Sequence, residues 1–443
     1  METCDYYKIN IPIMNEKAMN VVIVGGSLAG LMHGIMLKRL GHSVHILEQS
    51  PESILHGQAA GIRAGEEVQE FFQKYDMLNE PYYLDCPGLQ FIDRDMKNLR
   101  FVSFPMAMTS WTALYYRLRA NFDGFTSEHC PKPPESTTID GTAICDFGKR
   151  VTDVSYTNGR VEISFDDTIN GRSGSLHADL VIAADGSNSA VRRLLLPELQ
   201  RPYAGYVAWR GSVLEKDTSE ETRQVIKDDF MVFKMPRNYI LVYTIPGPTG
   251  SLEPGERILN FVWYSNCPSS SPEYAAIMTD SDGHHHRNTL PPGKMRQEIW
   301  YKQKSYAQSV LARPFAELVG KTTQPFISSV SDTIAPRASF FDGKLLLVGE
   351  ALALFRPHIA LGANQAAVHC LLLKNALEGE ITMKEWERRV LNYGARTRLL
   401  SILTGNWTQF GGMRLVVSAV EYGMLLVRQR VEDWWVGIFG QGI

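Results

Sequence analysis

The six cysteines of this 443-residue chain, Cys4, Cys86, Cys130, Cys145, Cys267 and Cys370, are scattered, with no CxxC pair and no ligand-like spacing. That absence argues against a disulfide framework or a cysteine metal site and fits reduced thiols in the cytoplasm. Long apolar runs are missing too, so no membrane-spanning helix is expected. The nearest approach, Leu415 to Val427, is short, is interrupted by Glu421, and reads as a packed helix. The first twenty residues carry charges and a proline and lack an apolar centre, so they do not read as a signal peptide. An excess of one charge is absent: 45 Lys+Arg against 48 Asp+Glu leave a formal charge of -3. Nothing in that balance attracts nucleic acid or an anionic membrane. No internal repeat or low-complexity array occurs. What is present, 44% hydrophobic and 21% charged residues, is ordinary for a globular enzyme, and the length implies two intergrown domains.

The first informative segment is Val21-Val22-Ile23-Val24, an all-apolar run of the kind buried in a parallel sheet. Gly25-Gly26-Ser27-Leu28-Ala29-Gly30 follows at once, then an amphipathic helix ending near Gly41, then a second strand, Ser43 to Leu47, closed by Glu48. A strand, a glycine turn and a helix, with an acid at the end of the next strand, form the context that a dinucleotide fingerprint requires. Gly25 permits the tight turn, Gly30 lets the helix pack close to the strand, and the helix N-terminus offers amides to a pyrophosphate. Ser27 stands where a second glycine is usual; it is small enough to keep the approach close. Glu48 suits the ribose hydroxyls of FAD or NAD rather than a phosphorylated NADP ribose.

Two later segments separate FAD from NAD. A buried strand, Leu180 to Ala184, runs into Asp185-Gly186, with Ser189 and Arg192 on a new helix. Near the C-terminal end Gly343 to Val348 leads to Gly349-Glu350, followed by Phe355-Arg-Pro-His-Ile-Ala-Leu-Gly-Ala-Asn-Gln-Ala366. A simple NAD dehydrogenase explains neither. With these three motifs in this order, residues 20 to 400 resemble the class A FAD-dependent aromatic hydroxylases, the para-hydroxybenzoate hydroxylase superfamily. Gly61-Ile-Arg63-Ala-Gly65 is similar to that family's arginine-bearing stretch near the pyrophosphate. Thr109-Ser110-Trp111, the run Tyr203 to Gly211, Asn260 to Tyr264, Met278-Thr279-Asp280 and Arg356-Pro357-His358 resemble the branch that acts on dihydroxypyridines. Two positions depart from the common pattern: Glu350 replaces an aspartate, and Trp111 replaces an arginine that many members place beside the cofactor.

The resemblance implies an α/β chain: a Rossmann-like FAD-binding domain of para-hydroxybenzoate hydroxylase type, an inserted mixed or antiparallel β-sheet substrate domain, and a C-terminal helical segment. The expected FAD-binding parts are 20–85, 100–200 and 330–405; the substrate sheet is 86–104 and 200–330; the helical appendage is 406–443. It further implies FAD as cofactor, NAD(P)H as co-substrate, and hydroxylation of a small aromatic substrate by O2 through a flavin hydroperoxide. Expected cofactor-binding residues are Gly25, Gly26, Ser27, Leu28, Ala29, Gly30, Glu48, Arg63, Asp185, Gly186, Gly349, Glu350, Pro357, Gly362, Ala363 and Asn364. Pro357 to Asn364 is the loop expected against the flavin ring, its amides at 361–364 holding a flavin carbonyl, with a helix starting at Gln365.

His358, on that loop, is the first candidate for a proton relay or substrate contact, against the alternative of a histidine that merely bonds backbone. Tyr206 and Arg210 share one face of a strand, with Trp209 on the other; Tyr206 as a phenol-activating partner competes with simple packing. Tyr243, Trp263 and Tyr264 are candidate pocket walls. The run Asp280 to His286 looks like a metal site but reads as a polar loop, and no metal is expected. The aromatic tail, residues 432–440, is expected to dock on the protein's own body, with a homodimer or a membrane surface as alternatives. An oxidase, epoxidase or ring-rearranging flavoprotein, or a flavin binder without turnover, are the competing functions.

Overall fold

The computed structural model describes residues 18–52 and 60–439, with side chains through residue 435. Cys4, the first seventeen residues and the end of the aromatic tail lie outside the described residues. The chain opens with strand β1 (Asn20–Val24), helix α1 (Leu28–Arg39) and strand β2 (Ser43–Leu47). Strand β3 (Leu180–Ala183) lies parallel on the other side of β1, and β4 (Leu345–Leu347) parallel beside β3. Strand Ala143–Asp146 extends the sheet past β2, and Ser339–Phe340 closes the far edge antiparallel. Valines and isoleucines buried on both faces explain why these strands read as continuous apolar runs. Because the chain leaves β1 for β2 on one side and reaches β3 on the other, the carboxyl ends of β1 and β3 form a topological switch point, where such sheets bind ligands.

The second sheet has nine strands, ordered 289–290, 326–331, 203–214, 258–266, 238–245, 230–235, 84–92, 98–110 and 61–63. Only the pairing of 230–235 with 84–92 is parallel, so the sheet is mixed. Alternation along its strands gives each face its own core. Val207, Trp209, Phe261 and Trp263 pack under the helices Gln297–Val310 and Arg313–Lys321. Tyr206, Ala208, Tyr239, Leu241, Tyr243 and Tyr264 face the other way, toward the first sheet. Trp263 therefore does not line the pocket: its indole donates to Asn238 Oδ1 at 2.6 Å on the far side.

Three helices finish the chain: α2 (Gly362–Leu377), α3 (Met383–Gln409) and α4 (Gly412–Phe439). The expected boundary between 405 and 406 falls inside α3, which runs unbroken until the left-handed glycines Gly411 and Gly412 end it. The sheet also takes Gly61–Arg63 from within the stretch assigned to the cofactor domain. Helix α4 docks on α3 through Gln429, which donates to Asn392 O at 2.9 Å, and through Asp433, paired with Arg388 at 2.7 Å. Trp434 and Trp435 nevertheless stay exposed, so the described part of the aromatic tail corrects the expectation of full docking: one face of the helix meets the body and a second, apolar face does not. The polar loop at 280–286 is closed on itself: Asp280 accepts from the amides of Asp282 and His284 and pairs with His286.

Two fully buried histidines join α1 to α2. His33 Nδ1 donates to Ala29 O at 2.7 Å, and His369 Nδ1 accepts from the Gly349 amide at 3.0 Å. Burial lowers the pKa of His33 to about 4 and that of His369 to about 3. In the unfolded chain both protonate near the ordinary value of about 6.5. Between those limits the unfolded state binds more protons, so stability is full above about pH 6.5 and is lost as pH falls toward 4. Urea unfolding should show this as a lower midpoint at pH 5.5 than at pH 7, each histidine contributing at most about 1.4 kcal/mol per pH unit. His369→Gln should flatten the slope by one histidine's share; an unchanged slope would remove His369 from the account.

Candidate active site

At the switch point the backbone is pressed to contact. Gly25 has φ +101°, and a Cβ there would lie 2.6 Å from Ala184 O; a Cβ on Gly30 would lie 1.9 Å from Gly25 O. Only glycine at both positions lets α1 begin directly on the β1 turn. Ser27 occupies the N-cap position, so the amides of Leu28, Ala29 and Gly30 have no partner within the helix and face out with its positive end. Glu48 is buried and already engaged: its Oε2 accepts from the Gly26 amide at 2.7 Å and its Oε1 from the Ser50 amide at 2.9 Å. The acid expected to meet ribose hydroxyls also holds the glycine turn in shape. Trp111 Nε1 donates to Ser27 Oγ at 3.3 Å, so two of the chain's unusual residues form one pair.

Opposite this turn, Asp185 caps the helix Ala190–Leu195: its Oδ2 accepts from the Ala190 amide at 2.7 Å and the Val191 amide at 3.1 Å. Its Oδ1 is buried without a hydrogen bond, and burial raises the carboxyl pKa. Arg192 donates to the carbonyls of Glu350 at 3.0 Å and Ala351 at 2.9 Å, clipping the Asp185-Gly186 segment to the Gly349-Glu350 segment. The Glu350 side chain lines the interior cavity. Burial raises its pKa, against the pull of Arg201, Arg210 and Arg192.

The loop that follows makes one tight turn, Pro357–Ile359, passes through Ala360 at φ +51°, and enters α2 at Gly362. The helix thus begins three residues before the expected Gln365, and the amides of Gly362, Ala363 and Asn364 become its free first turn. Gly362 and Ala363 line the cavity; the Asn364 side chain does not, because it accepts from the Gly65 amide at 3.0 Å and donates to Glu67 Oε2 at 2.8 Å. Arg63 stands over the Phe104 ring at 4.6 Å, and its buried Nε has no partner.

Between the two sheets lies a cavity of about 360 Å³, walled by Ser27 to Ala29, Trp111, Glu350, Pro357, His358 and the start of α2 on one side. On the other side stand Arg210, Phe230, Leu241, Tyr243, Val262 and Tyr264. Arg210 is an unsatisfied group here: its Nε is buried with no hydrogen-bond partner among the described residues. His358 is held at both ring nitrogens, by Tyr206 Oη at 2.6 Å from Nε2 and by Tyr239 Oη at 2.5 Å from Nδ1. Burial, then Arg356 and Arg210, lower its pKa to about 3, so the ring is neutral. A neutral imidazole has one donor and one acceptor, so one tyrosine donates to it while the other accepts. The chain of contacts continues from Tyr239 to Tyr264 at the cavity wall, and from Tyr206 to Arg356, whose Nε pairs with Asp332 at 2.7 Å.

The structure therefore brings His358, Tyr206 and Arg210 to one place and puts Trp209 on the opposite face. Sequence reasoning missed Tyr239, although strand alternation from Tyr243 places it on the cavity face, paired in register with Tyr264. It also missed Gly405 of α3, where a Cβ would come within 2.7 Å of Tyr206 Oη and 2.8 Å of His358 Nε2. A glycine inside a long helix was the available signal.

Comparison with known proteins agrees with this geometry. Residues 18–66 match the FAD binding domain family, and residues 203–332 match a family described as FAD binding domain-like. The chain is 28% identical over 394 residues to 2,6-dihydroxypyridine 3-monooxygenase of Paenarthrobacter nicotinovorans, covering 86% of this chain and 89% of that one. It is 23% identical over 390 residues to salicylate hydroxylase of Pseudomonas putida, covering 82% and 78%. Among solved structures, 2,6-dihydroxypyridine-3-hydroxylase from Arthrobacter nicotinovorans superposes with a TM-score of 0.76 at 23% identity, covering 90% of this chain and 95% of that one. The chain is thus a homologue of 2,6-dihydroxypyridine 3-monooxygenase and salicylate hydroxylase and carries the fold of the class A flavoprotein hydroxylases.

Proposed function

We propose that this protein is an FAD-dependent monooxygenase that uses NAD(P)H and O2 to hydroxylate a small, electron-rich aromatic substrate bearing an anionic or strongly accepting edge, of the hydroxypyridine type. The observation that carries the substrate class is Arg210, a cavity-lining guanidinium whose buried Nε lacks a partner, set among aromatic walls. A buried donor left unpaired is costly, and an acceptor on the substrate satisfies it. The 2,6-dihydroxypyridine and salicylate enzymes to which the chain is related support an acidic phenol-like substrate.

The residues present fit FAD. The contacts at Gly25 and Gly30 leave no room for a side chain, and the unpaired amides that open α1 and α2 both face the crevice. Asp185 Oδ1 and Arg63 Nε are buried orphans, one an acceptor and one a donor. Gly25 to Gly30, Glu48 and Arg63 would hold the adenosine and pyrophosphate portion; Asp185, Gly186, Gly349 and Glu350 the ribityl portion; and Pro357, Gly362, Ala363 and the Asn364 amide the ring. When bound, FAD supplies the reductive activation of dioxygen with electrons from NAD(P)H and the delivery of one oxygen atom to the aromatic ring.

The chain's own residues do the rest. Arg210 anchors the substrate edge, Tyr243, Phe230 and Tyr264 hold the ring plane, and Leu241, Val262 and Met108 keep water out. A phenol becomes more nucleophilic as negative charge gathers on its oxygen, and the Tyr264 hydroxyl at the cavity wall, its ring stacked on Tyr239, would donate a hydrogen bond that holds that charge. With its pKa near 3, His358 stays neutral and fixes the Tyr239 and Tyr206 hydroxyls in place.

Purified protein should carry FAD, seen as a flavin absorbance spectrum and identified by mass after release; protein that is colourless and binds no added FAD would sink the proposal. Hydroxypyridines or hydroxybenzoates should stimulate NAD(P)H oxidation, and product formed under 18O2 should contain the label. Arg210→Met should raise KM at least tenfold while leaving the flavin spectrum intact, and an unchanged KM would remove Arg210 as anchor. Tyr264→Phe should lower kcat by roughly 10²-fold, the scale of one lost charge-stabilising donor, and make the remaining rate rise with pH as the substrate ionises unaided. A rate that stays as it was would remove Tyr264 from that role.

A further inference from the structure

We propose that the outward face of α4 is the seam of an antiparallel, two-fold symmetric helix pair between two copies of this chain. An ordinary surface helix buries its one apolar stripe; α4 has apolar residues on two faces. Leu415, Tyr422 and Leu425 are half-buried on the side of Ser418, Gln429 and the Asp433–Arg388 pair, while Met413, Val417, Val420, Met424, Val427, Val431 and Trp434 face outward. Their exposure runs from 47% at Val417 to 76% at Met413. An apolar strip along 22 residues is about 32 Å long, more than a monomer ordinarily leaves in water.

Spacing identifies the class of partner. From Met413 to Trp434 the seven residues are separated by four, three, four, three, four and three positions, the alternation of a helix-to-helix seam. A helix lying on a membrane has basic residues along a wide polar face; here Arg414, Glu421, Arg428, Arg430 and Glu432 mix both signs beside the stripe.

Charge selects a second copy and its direction. The residues immediately following Met413, Val420 and Val427 are Arg414, Glu421 and Arg428. In an antiparallel pair these positions meet their counterparts across the seam. A two-fold axis passing between Met424 and Leu425 sets Glu421 opposite the partner's Arg428, and Arg428 opposite the partner's Glu421. The middle of the apolar stripe lies between Gly423 and Met424, one residue away, so the register set by charge and the register set by length agree to within about 1.5 Å. A parallel pair instead brings Glu421 to Val416 and Arg428 to Gly423, with no opposite charges. The same patch on both copies closes the assembly at two.

The test is the mass of the full-length, FAD-loaded protein in solution, by light scattering or sedimentation over a concentration series. Wild type is expected to be a dimer. Val420→Glu with Val427→Glu is expected to be a monomer with an unchanged flavin spectrum, which reports that the fold survives. Glu421→Arg should weaken the dimer several-fold, and adding Arg428→Glu should restore it, because the swap re-creates the cross-pairs only between copies of the same chain. A monomeric wild type overturns the proposal, whether or not it floats with phosphatidylcholine vesicles. So does a dimer that survives the two glutamates, or a charge swap that restores nothing.

Discussion

The contact on which the rest of the molecule depends is that between Gly30 and the carbonyl of Gly25, where a single added carbon would overlap the backbone. It brings the start of α1 down onto the end of β1. In that position the free amides of α1 open into the crevice and the outer side of α1 receives α2. The Gly349 amide, held by His369 of α2, and the Glu350 carbonyl, held by Arg192, then lie across from the glycine turn. Three segments that are far apart in the chain are joined at one edge of the first sheet by these few bonds. Both side chains, His369 and Arg192, are buried, so breaking either bond would strand a polar atom away from water.

The interior polar chain has a different character. Tyr264, Tyr239, His358, Tyr206, Arg356 and Asp332 form a row from the cavity wall to an ion pair shared with Arg398. In a medium of low dielectric such a row is stable only when each member is bonded, and that requirement keeps the histidine neutral and upright between two phenols. The chain has made room for it by placing Gly405 where any side chain would push into Tyr206 and His358. Arg210 is the exception: it lies beside the same groups with a buried nitrogen that has no hydrogen-bond partner among the described residues, and the proposed role as substrate anchor rests on that difference.

The cofactor half of the fold was legible because its signals are local. Glycines are demanded where backbones touch, apolar runs where strands are covered on both faces, and an acid where the next strand ends. Those requirements operate over about thirty residues of chain, so they are written in order. The start of α2 was misplaced by three residues because Gly362 and Ala363 resemble a loop until the turn at Ala360 is seen. The two departures Ser27 and Trp111 read separately as weakening changes; in space the indole donates to the hydroxyl and they form one contact.

By itself, then, the sequence determined the parallel sheet with its glycine turn, which follows from spacing along a single stretch of chain, while the mixed second sheet and FAD were implied by the resemblance of three ordered motifs to a known family. Only the tertiary structure decided which polar groups share the cavity. Tyr206, Tyr239, His358 and Gly405 come from two strands, a loop and a helix, and no periodicity links them. The orientation of α4 was likewise decided only in three dimensions. The same apolar residues fit either a packed or an outward face, and which one holds depends on where α3 places its hydrogen-bond partners.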